Sequence, residues 1–402
     1  MTDRGRLALL LAGAIYLAAW TLGSKALYPV AVGLALAVGL AVAWVRASPL
    51  PEKIRRDVGR RPLTEGDDLR ATVEVGFGPG VRPPGIQLVE RIGRLGRRSV
   101  QLEYAGRRAW GRYLLRSVPR GLYAFTETLV VIEDPFGLAR AERPLEEGGA
   151  LAVYPRLVDL DQLFSESGSS SRGGAAGRLL VRRPAGVELH SVREYQEGES
   201  LRAVHWPSTA RRGRLMVKDL EDAPRDDLVV VLDAREGAVV GESFDTQVRA
   251  AGSILQLYAR RGRRTTLVVT SAPPRTQRIR SNEGDWRLAL DLLAAAEPTG
   301  RVSLTATLAD DGHLAAQASD LAVVTARLDR ALADALVRLS PGRRLTVAYV
   351  DAATFAPEAA PTPRPEPALL RLQAAGVAVA VVREGDDLAA VLGSAAPKAA
   401  HV

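Results

Sequence analysis

The sequence predicts an α+β multidomain protein that begins with a transmembrane helical hairpin, continues with an antiparallel β sandwich and ends with a doubly wound α/β domain. Three observations predict this fold class. Two uncharged apolar runs stand at the N-terminus, short alternating segments separated by Gly and Pro follow, and the last part of the chain alternates apolar strands with amphipathic helices. A chain of 402 residues, 47% of them hydrophobic, can bury more than one core, since domains usually have about 100 to 200 residues.

The composition excludes several classes of site. The chain has no cysteine, which excludes disulfides, thiolate metal sites and a cysteine nucleophile. The net charge of +8 is spread along the chain, and no basic stripe interleaved with stacking aromatic residues is present, so we expect no nucleic-acid binding. We attribute the charge first to an arginine-rich composition bias and second to attraction of the juxtamembrane region to anionic lipid. We expect no cofactor and no zinc or iron centre, because metal-ligand spacing is absent among the four histidines, which are His190, His205, His313 and His401.

The N-terminal segment 1–46 predicts a transmembrane hairpin. Its two apolar runs, 7–22 and 26–45, each approach the ~20 residues that a helix needs to cross a bilayer. A cleaved signal peptide is disfavoured because the second run follows at once and would stop transfer. A buried soluble hairpin or a single span would also fit these two runs, and both are less favoured than two spans.

The basic residues around the two runs predict the orientation of the hairpin. Only Lys25 stands in the turn between the runs, whereas the flanks are rich in arginine and lysine. The positive-inside rule therefore predicts a two-span protein of the cell (plasma) membrane whose N-terminus and large C-terminal region are cytoplasmic. The flanking basic residues are Arg4, Arg6, Arg46, Lys53, Arg55 and Arg56.

The segment 62–160 predicts the β sandwich. Its apolar residues alternate in short runs, and turn residues such as Gly78-Pro79-Gly80 separate these runs. The sequence Asp134-Pro135-Phe136-Gly137-Leu138 has the chemistry of a turn, and we expect Phe136 to plug an edge of the core. The predicted strands are 69–77, 86–91, 99–104, 109–118, 122–132 and 150–154.

A Ser/Gly-rich stretch, 161–180, separates the sandwich from the rest of the chain. It lacks the spacing of a phosphate-binding loop, and no strand runs directly into it. We therefore expect a flexible linker.

The C-terminal segment 227–395 predicts a doubly wound α/β domain, because apolar strands and amphipathic helices alternate with short connections. Ligands in such sheets bind at the carboxyl ends of the strands, which is the position of Asp233. The predicted strands are 227–233, 265–270, 321–325, 344–350 and 377–382, and the predicted helices are 243–260, 285–296, 328–339 and 368–375, with 303–318 ambiguous and assigned to helix.

The segment 181–226 contains the densest polar cluster of the chain. Arginines, carboxylates, Tyr and Trp stand close together in it, and such groups usually hold one another. We favour a clasp that fixes the linker and the β domain against the α/β sheet over a protein-interaction surface. The candidate residues for either role are Arg193, Tyr195, Gly198, Glu199, Arg202, His205, Trp206, Ser208 and Arg211.

Catalysis is the third hypothesis for this cluster. A hydrolase could use Ser208, His205 and Glu199, but no nucleophile elbow or oxyanion arrangement accompanies them. We therefore assign no catalytic residue and expect a non-enzymatic protein.

The candidate residues of segment 181–226, followed by the strand that ends at Asp233, resemble the signature of the domain of unknown function 58 family. The upstream segments 120–123, 134–138 and 153–155 and the two N-terminal spans fit the same family. Two departures are Glu199, where the family commonly has Asp, and His205, where Asp is frequent before the Trp.

The resemblance implies a von Willebrand factor A-like C-terminal domain. In other proteins this fold binds a divalent ion through D-x-S-x-S, whereas this chain has Asp233-Ala234-Arg235-Glu236-Gly237. Both serines are missing, and Arg235 brings a positive charge to the place of a cation, so we expect no metal, with Asp233 as the one candidate ligand. We expect Asp233 to accept backbone or arginine hydrogen bonds instead.

The resemblance also implies a partner, a MoxR-type AAA ATPase. It predicts a membrane-anchored adaptor or scaffold that works with this ATPase and other membrane proteins in assembly or maturation of envelope components. Three rival hypotheses remain, which are a metal-dependent ligand-binding domain, the Ser208 and His205 hydrolase, and lipid-surface binding by the arginine-rich juxtamembrane region.

Overall fold

The structure is a computed structural model, and its residues divide into two compact units, Met1–Tyr154 and Pro155–Val402. It describes residues 1–59, 62–145, 148–167, 187–194, 204–222, 228–280, 283–310, 318–356 and 365–393.

The first unit starts with two long apolar helices, α1 (Asp3–Leu22) and α2 (Leu27–Ala47). The side-chain oxygen of Thr2 caps α1 by accepting the N–H of Gly5, and Gly23 ends the helix in the left-handed conformation. Both helices are long and apolar enough to cross a membrane. They coincide with the two apolar runs from which the hairpin was predicted.

A curled antiparallel sheet forms the rest of the first unit. Within the described residues it has nine strands in the order β1-β3-β6-β5-β4-β7-β9-β2, with β8 paired to β7. Only the short pair β2 and β9 is parallel. The strands are β1 (Pro51–Asp57), β2 (Leu63–Thr64), β3 (Leu69–Phe77), β4 (Ile86–Ile92), β5 (Arg97–Ala105), β6 (Arg108–Leu115), β7 (Gly121–Glu133), β8 (Arg140–Pro144) and β9 (Ala150–Tyr154).

The six strands predicted in this region are confirmed, and β3 shows the alternation most clearly. The apolar positions of β3 are buried at every second residue, as the period of a strand requires. Ala41 and Val45, on the last turns of α2, belong to the same apolar cluster as Val75 and Phe77 of this strand. The end of α2 is therefore part of the core of the first unit.

A buried ion pair joins the strand that follows α2 to the middle of the sheet. Arg56 Nε of β1 donates to Glu90 Oε1 of β4 at 2.7 Å, and the two side chains are 10% and 2% exposed. Tyr113 and Thr128 complete the cluster by hydrogen bonds to the carboxylate and the guanidinium. Burial, together with the charge of Glu90, raises the pKa of Tyr113.

The prediction that Phe136 plugs a core edge is wrong. Phe136 is 76% exposed, because the turn in which it stands is closed by a different residue. The buried carboxylate of Asp134 accepts the N–H groups of Phe136, at 2.9 Å, and of Ala139, at 2.5 Å. With its backbone tied in this way, the turn projects the phenyl ring outward.

The second unit contains a six-stranded sheet in the order β14-β13-β12-β15-β16-β17. Five strands are parallel, but the edge strand β14 runs antiparallel to β13, which the sequence did not predict. The strands are β12 (Leu228–Leu232), β13 (Thr265–Val269), β14 (Arg275–Ile279), β15 (Asp320–Thr325), β16 (Arg344–Val350) and β17 (Ala378–Val382).

Helices cover both faces of this sheet. Val229 and Val231 of β12 belong to one apolar cluster, while Val230 and Leu232 belong to another on the opposite face. The predicted helices are confirmed, and 303–318 contains a helix from Leu304, with 311–317 outside the described residues. The helices are α5 (Ser243–Arg260), α6 (Glu283–Ala295), α7 (Leu304–Asp310), α8 (Arg330–Leu339), α9 (Glu366–Ala374) and α10 (Leu388–Gly393).

The start of the second unit differs from the predicted linker. The short helix α3 (Phe164–Ser167) and the residues before it pack against the α/β core, where Leu163 and Phe164 are buried. Both oxygens of Glu166 accept from Arg261, and these contacts lower the pKa of Glu166 although burial alone would raise it. The remainder of the predicted linker, 168–180, lies outside the described residues.

A hairpin precedes the parallel sheet. Its strands β10 (Val187–Glu194) and β11 (Met216–Asp222) are antiparallel, and helix α4 (Trp206–Arg212) stands between them along the chain. This hairpin lies within the predicted signature region 181–226.

Candidate functional site

Three polar side chains meet at the carboxyl edge of the parallel sheet. Asp233 follows β12, Thr270 follows β13, and Thr325 is the last residue of β15. These three strands are neighbours in the sheet, so residues that are far apart in sequence come together at one edge. All three residues are buried.

Both carboxylate oxygens of Asp233 have partners. Thr325 Oγ1 donates to Oδ2 at 2.7 Å, the N–H of Arg235 donates to Oδ1 at 3.2 Å, and the Arg235 guanidinium lies 3.7 Å from Oδ2. Asp233 is 2% exposed, and burial raises its pKa although the Thr325 hydrogen bond and the charge of Arg235 oppose the shift. The carboxylate therefore has the backbone and arginine contacts expected of a strand-end residue.

The loop after Asp233 is tied to its neighbours by further hydrogen bonds. Thr270 Oγ1 accepts the N–H of Ala234 at 2.9 Å. The N–H of Gly300 donates to the carbonyl of Ala234, and the carbonyl of Gly300 accepts the N–H of Glu236, at 2.8 Å each. A Cβ on Gly300 would collide with the carbonyl oxygen of Thr270, so this close approach requires glycine. Thr270 and Gly300 thus both hold the loop by hydrogen bonds.

The arrangement does not fit a divalent cation. A hard cation needs several oxygen ligands, yet the only carboxylate among these three side chains faces the guanidinium of Arg235. Within the described residues, no group of three or more His, Cys, Asp and Glu could hold a metal ion. At this edge the guanidinium of Arg235 balances the charge of the Asp233 carboxylate.

Sequence reasoning identified Asp233 but missed Thr270 and Thr325. Each threonine stands at or just after the end of an apolar strand, which is the same signal that singled out Asp233. The missing information was the strand order, because only that order shows which strand ends are adjacent.

The predicted signature residues are only partly described. Tyr195, Gly198, Glu199 and Arg202 lie outside the described residues, and Arg193 is described only by its backbone, which pairs with Val217 in the hairpin. The structure brings together the remaining members, which are His205, Trp206, Ser208 and Arg211 on and beside α4.

His205 and Ser208 form the N-terminal cap of α4. His205 Nδ1 lies 2.8 Å from Ser208 Oγ and accepts the backbone N–H of Ser208 at 3.3 Å. An N-cap side chain satisfies an N–H group that has no partner inside the helix. The pair therefore has a structural role that explains its short distance.

Helix α4 is attached to the hairpin through its ends and presents its other residues to solvent. Val204 and Met216 are buried, and the N–H of His205 donates to the carbonyl of Met216 at 2.8 Å. In contrast, Trp206 is 65% exposed. We call the exposed residues Trp206, Pro207, Arg211 and Arg212 the α4 surface.

Part of the chain matches a known protein family. Residues 191–354 match the family model described as Protein of unknown function DUF58. The matched range includes the α4 surface, Asp233, Thr270 and Thr325. The predicted resemblance to this family is confirmed over that range.

Part of the chain is also similar to an individual bacterial protein. The Uncharacterized protein YeaD of Bacillus subtilis (strain 168) is 28% identical over 180 residues, which are 45% of this chain and 44% of the relative. The match therefore spans less than half the length of that protein.

Among solved structures, the Bifidobacterium dentium beta-glucuronidase complexed with coumarin-3-O-glucuronide is 11% identical and has a TM-score of 0.20. The similarity covers 76% of this chain and 45% of that chain. Cwp6 from Clostridium difficile is 12% identical with a TM-score of 0.15, covering 83% and 38%. Scores this low do not indicate a shared fold.

Proposed function

We propose that this chain is a membrane-anchored, non-enzymatic adaptor that presents the α4 surface to a protein partner in the cytoplasm. The exposed ring of Trp206 carries this proposal, because Trp and Arg are the residues that most often anchor protein interfaces. Aromatic side chains bury a large apolar area when a partner covers them, and Trp206 is 65% exposed. We therefore prefer the interface hypothesis for the signature region to the clasp.

The proposed partner is a MoxR-type AAA ATPase. Support comes from the family resemblance, which implies such a partner, and from the match over residues 191–354. Arg211 and Arg212, at the other end of the same short helix, give the α4 surface a positive charge, so the matching patch on the partner should be acidic. Assembly or maturation of envelope components is the process that this pairing would serve.

The anchor is proposed to be the α1–α2 hairpin. Support comes from the length and apolar character of both helices and from the basic residues outside them, which favour cytoplasmic ends. On this basis we propose that the hairpin lies in the cell membrane and that the sheet of the first unit and the whole second unit are cytoplasmic.

We propose finer fold assignments for the two units. A strand order with one antiparallel edge strand and helices on both faces supports a von Willebrand factor A-like fold for the second unit. The two apolar clusters lined by the curled sheet support a sandwich for the first unit. In this assignment the metal position is replaced by the contact between Asp233 and Arg235, which supports a metal-independent adaptor.

Affinity purification of the full chain from native membranes with ATP tests the proposal. Wild type should retain the ATPase, and Trp206→Ala should lose it while the free energy of unfolding changes by less than about 0.5 kcal/mol, since the ring is on the surface. Leu370→Ala is the matched control, because Leu370 is an exposed apolar residue of α9 outside the α4 surface. Equal retention of the ATPase by the wild type and Trp206→Ala, or its absence from the wild-type sample, would contradict the proposal.

A further inference from the structure

We propose that the turn Asp134–Leu138 docks the first unit onto the lipid bilayer and that Phe136 inserts into the cytoplasmic leaflet beside α2. The occupant of the groove at this turn is then membrane lipid. The inference rests on the proposed membrane anchoring and assigns a role to a motif that the adaptor function leaves unexplained.

The turn is built rigidly enough to hold an exposed ring in place. Besides the two hydrogen bonds that the Asp134 carboxylate accepts, the N–H of Asp134 donates to the carbonyl of Ala139 at 3.2 Å and the N–H of Gly137 donates to the carbonyl of Asp134 at 3.0 Å. Gly137 has a φ of +67°, a conformation that glycine adopts without strain. Phe136 is therefore fixed outward rather than free to fold back.

The same turn receives the N-terminal end of α1. The N–H of Thr2 donates to the carbonyl of Leu138 at 3.1 Å, and its hydroxyl donates to the carbonyl of Gly137 at 2.5 Å. A Cβ on Gly5 would collide with the carbonyl oxygen of Leu138, so the helix and the turn are in close contact. The turn is thus attached to the polar end of the first apolar helix.

The neighbouring loop attaches the end of α2. Trp44 Nε1 donates to the carbonyl of Arg82 at 2.8 Å, and the N–H of Val81 donates to the carbonyl of Ala47 at 3.2 Å. The sheet therefore meets the cytoplasmic ends of both helices, and the depth of Phe136 relative to α2 is fixed.

An apolar groove of about 700 Å³ lies between α2 and the two loops. The stretch of α2 that lines it runs from residue 37 to residue 47, roughly 15 Å along the helix axis at 1.5 Å per residue. When the 21 residues of α2 cross the bilayer, the half of the helix that lines the groove lies in the cytoplasmic leaflet. The exposed apolar side chains of the groove are Leu40, Trp44, Val81 and Phe136.

Two features favour lipid over a second copy of the chain as the occupant. The groove wall is continuous with the exposed apolar surface of α2, which lipid would cover in any case. Arg4 also lines the cleft next to Phe136, and Arg82 follows the groove residue Val81 along the chain, which supplies cations for phosphate headgroups near the turn. Tryptophan near the end of a span prefers the same depth.

Because the chain contains no cysteine, single cysteines can be labelled with a bimane fluorophore in the full protein. The labelled protein is reconstituted into phosphatidylcholine and phosphatidylglycerol vesicles, with or without phosphatidylcholine brominated in its acyl chains. The label at Phe136→Cys should lose fluorescence in brominated vesicles to an extent comparable with a label at Leu40→Cys, which faces outward on α2.

The matched control is Leu122→Cys, an exposed apolar position near the other end of β7, about 35 Å from the turn by strand length. It should show no quenching. Quenching at Leu40 but not at Phe136 would overturn the insertion while leaving the anchor intact. Coupling between spin labels at Phe136→Cys in different chains, without quenching, would assign the groove to a second copy and also overturn it. Loss of quenching at Leu40 would overturn the anchor itself.

Discussion

Asp233 illustrates how a single residue at a strand end can change the chemistry of a whole site. The carboxylate is buried, and the hydroxyl of Thr325 and the backbone and side chain of Arg235 surround it. The side chain that should repel a cation also stabilises the charge of the carboxylate. The polar groups at this edge therefore hold the loop after Asp233 in place.

The raised pKa of Asp233 predicts a specific dependence of stability on pH. A carboxyl whose pKa is higher in the folded state than in the unfolded state binds more protons when folded, so its contribution to the free energy of unfolding falls as pH rises between these two values. Asp233→Asn removes this titration. We expect the variant to gain stability relative to wild type as pH increases from acid to neutral in urea denaturation.

The control for this prediction is Glu384→Gln, which removes a carboxylate from an exposed turn of the same unit. A gain by Asp233→Asn that shrinks toward neutral pH would contradict the account. A rise in melting temperature on adding Mg²⁺ to wild type, lost in Asp233→Asn, would show instead that the site binds metal.

At the scale of elements, strand β1 shows which parts of the fold the sequence could predict. β3, one of the six strands identified from the sequence of the first unit, alternates buried apolar residues with partly or fully exposed ones. In contrast, β1 reads PEKIRRD and has only Ile54 buried, because its pairing depends on β3 and on the ion pair between Arg56 and Glu90. Strands specified by partners far away in sequence carry no local period.

The buried ion pair predicts a large loss of stability in one variant. Arg56→Ala leaves the Glu90 carboxylate buried without its cation, which should cost about 3 to 5 kcal/mol of unfolding free energy. Arg108→Ala, which removes the partner of Glu74 in an exposed pair at 2.9 Å, should cost less than about 1 kcal/mol. Chemical denaturation of both variants measures the difference, and equal losses would refute a structural role for the buried pair.

For the molecule as a whole, the order of its parts was predictable and the arrangement of the site was not. The apolar runs, the alternating strands and the strand-helix repeats each carry a local pattern, so the hairpin helices and most elements of both units followed from the sequence. The contacts of Asp233 depended on sheet order. The exposure of Trp206 depended on how α4 packs against its hairpin, which no local pattern records.

We propose that the hairpin anchors the chain in the membrane and keeps the α4 surface in the cytoplasm. Labelling of Trp206→Cys with a membrane-impermeant maleimide in sealed membrane vesicles tests it directly, because the chain has no other cysteine. We predict labelling in inside-out vesicles without detergent, and in right-side-out vesicles only after permeabilisation. Labelling of intact right-side-out vesicles would contradict the account.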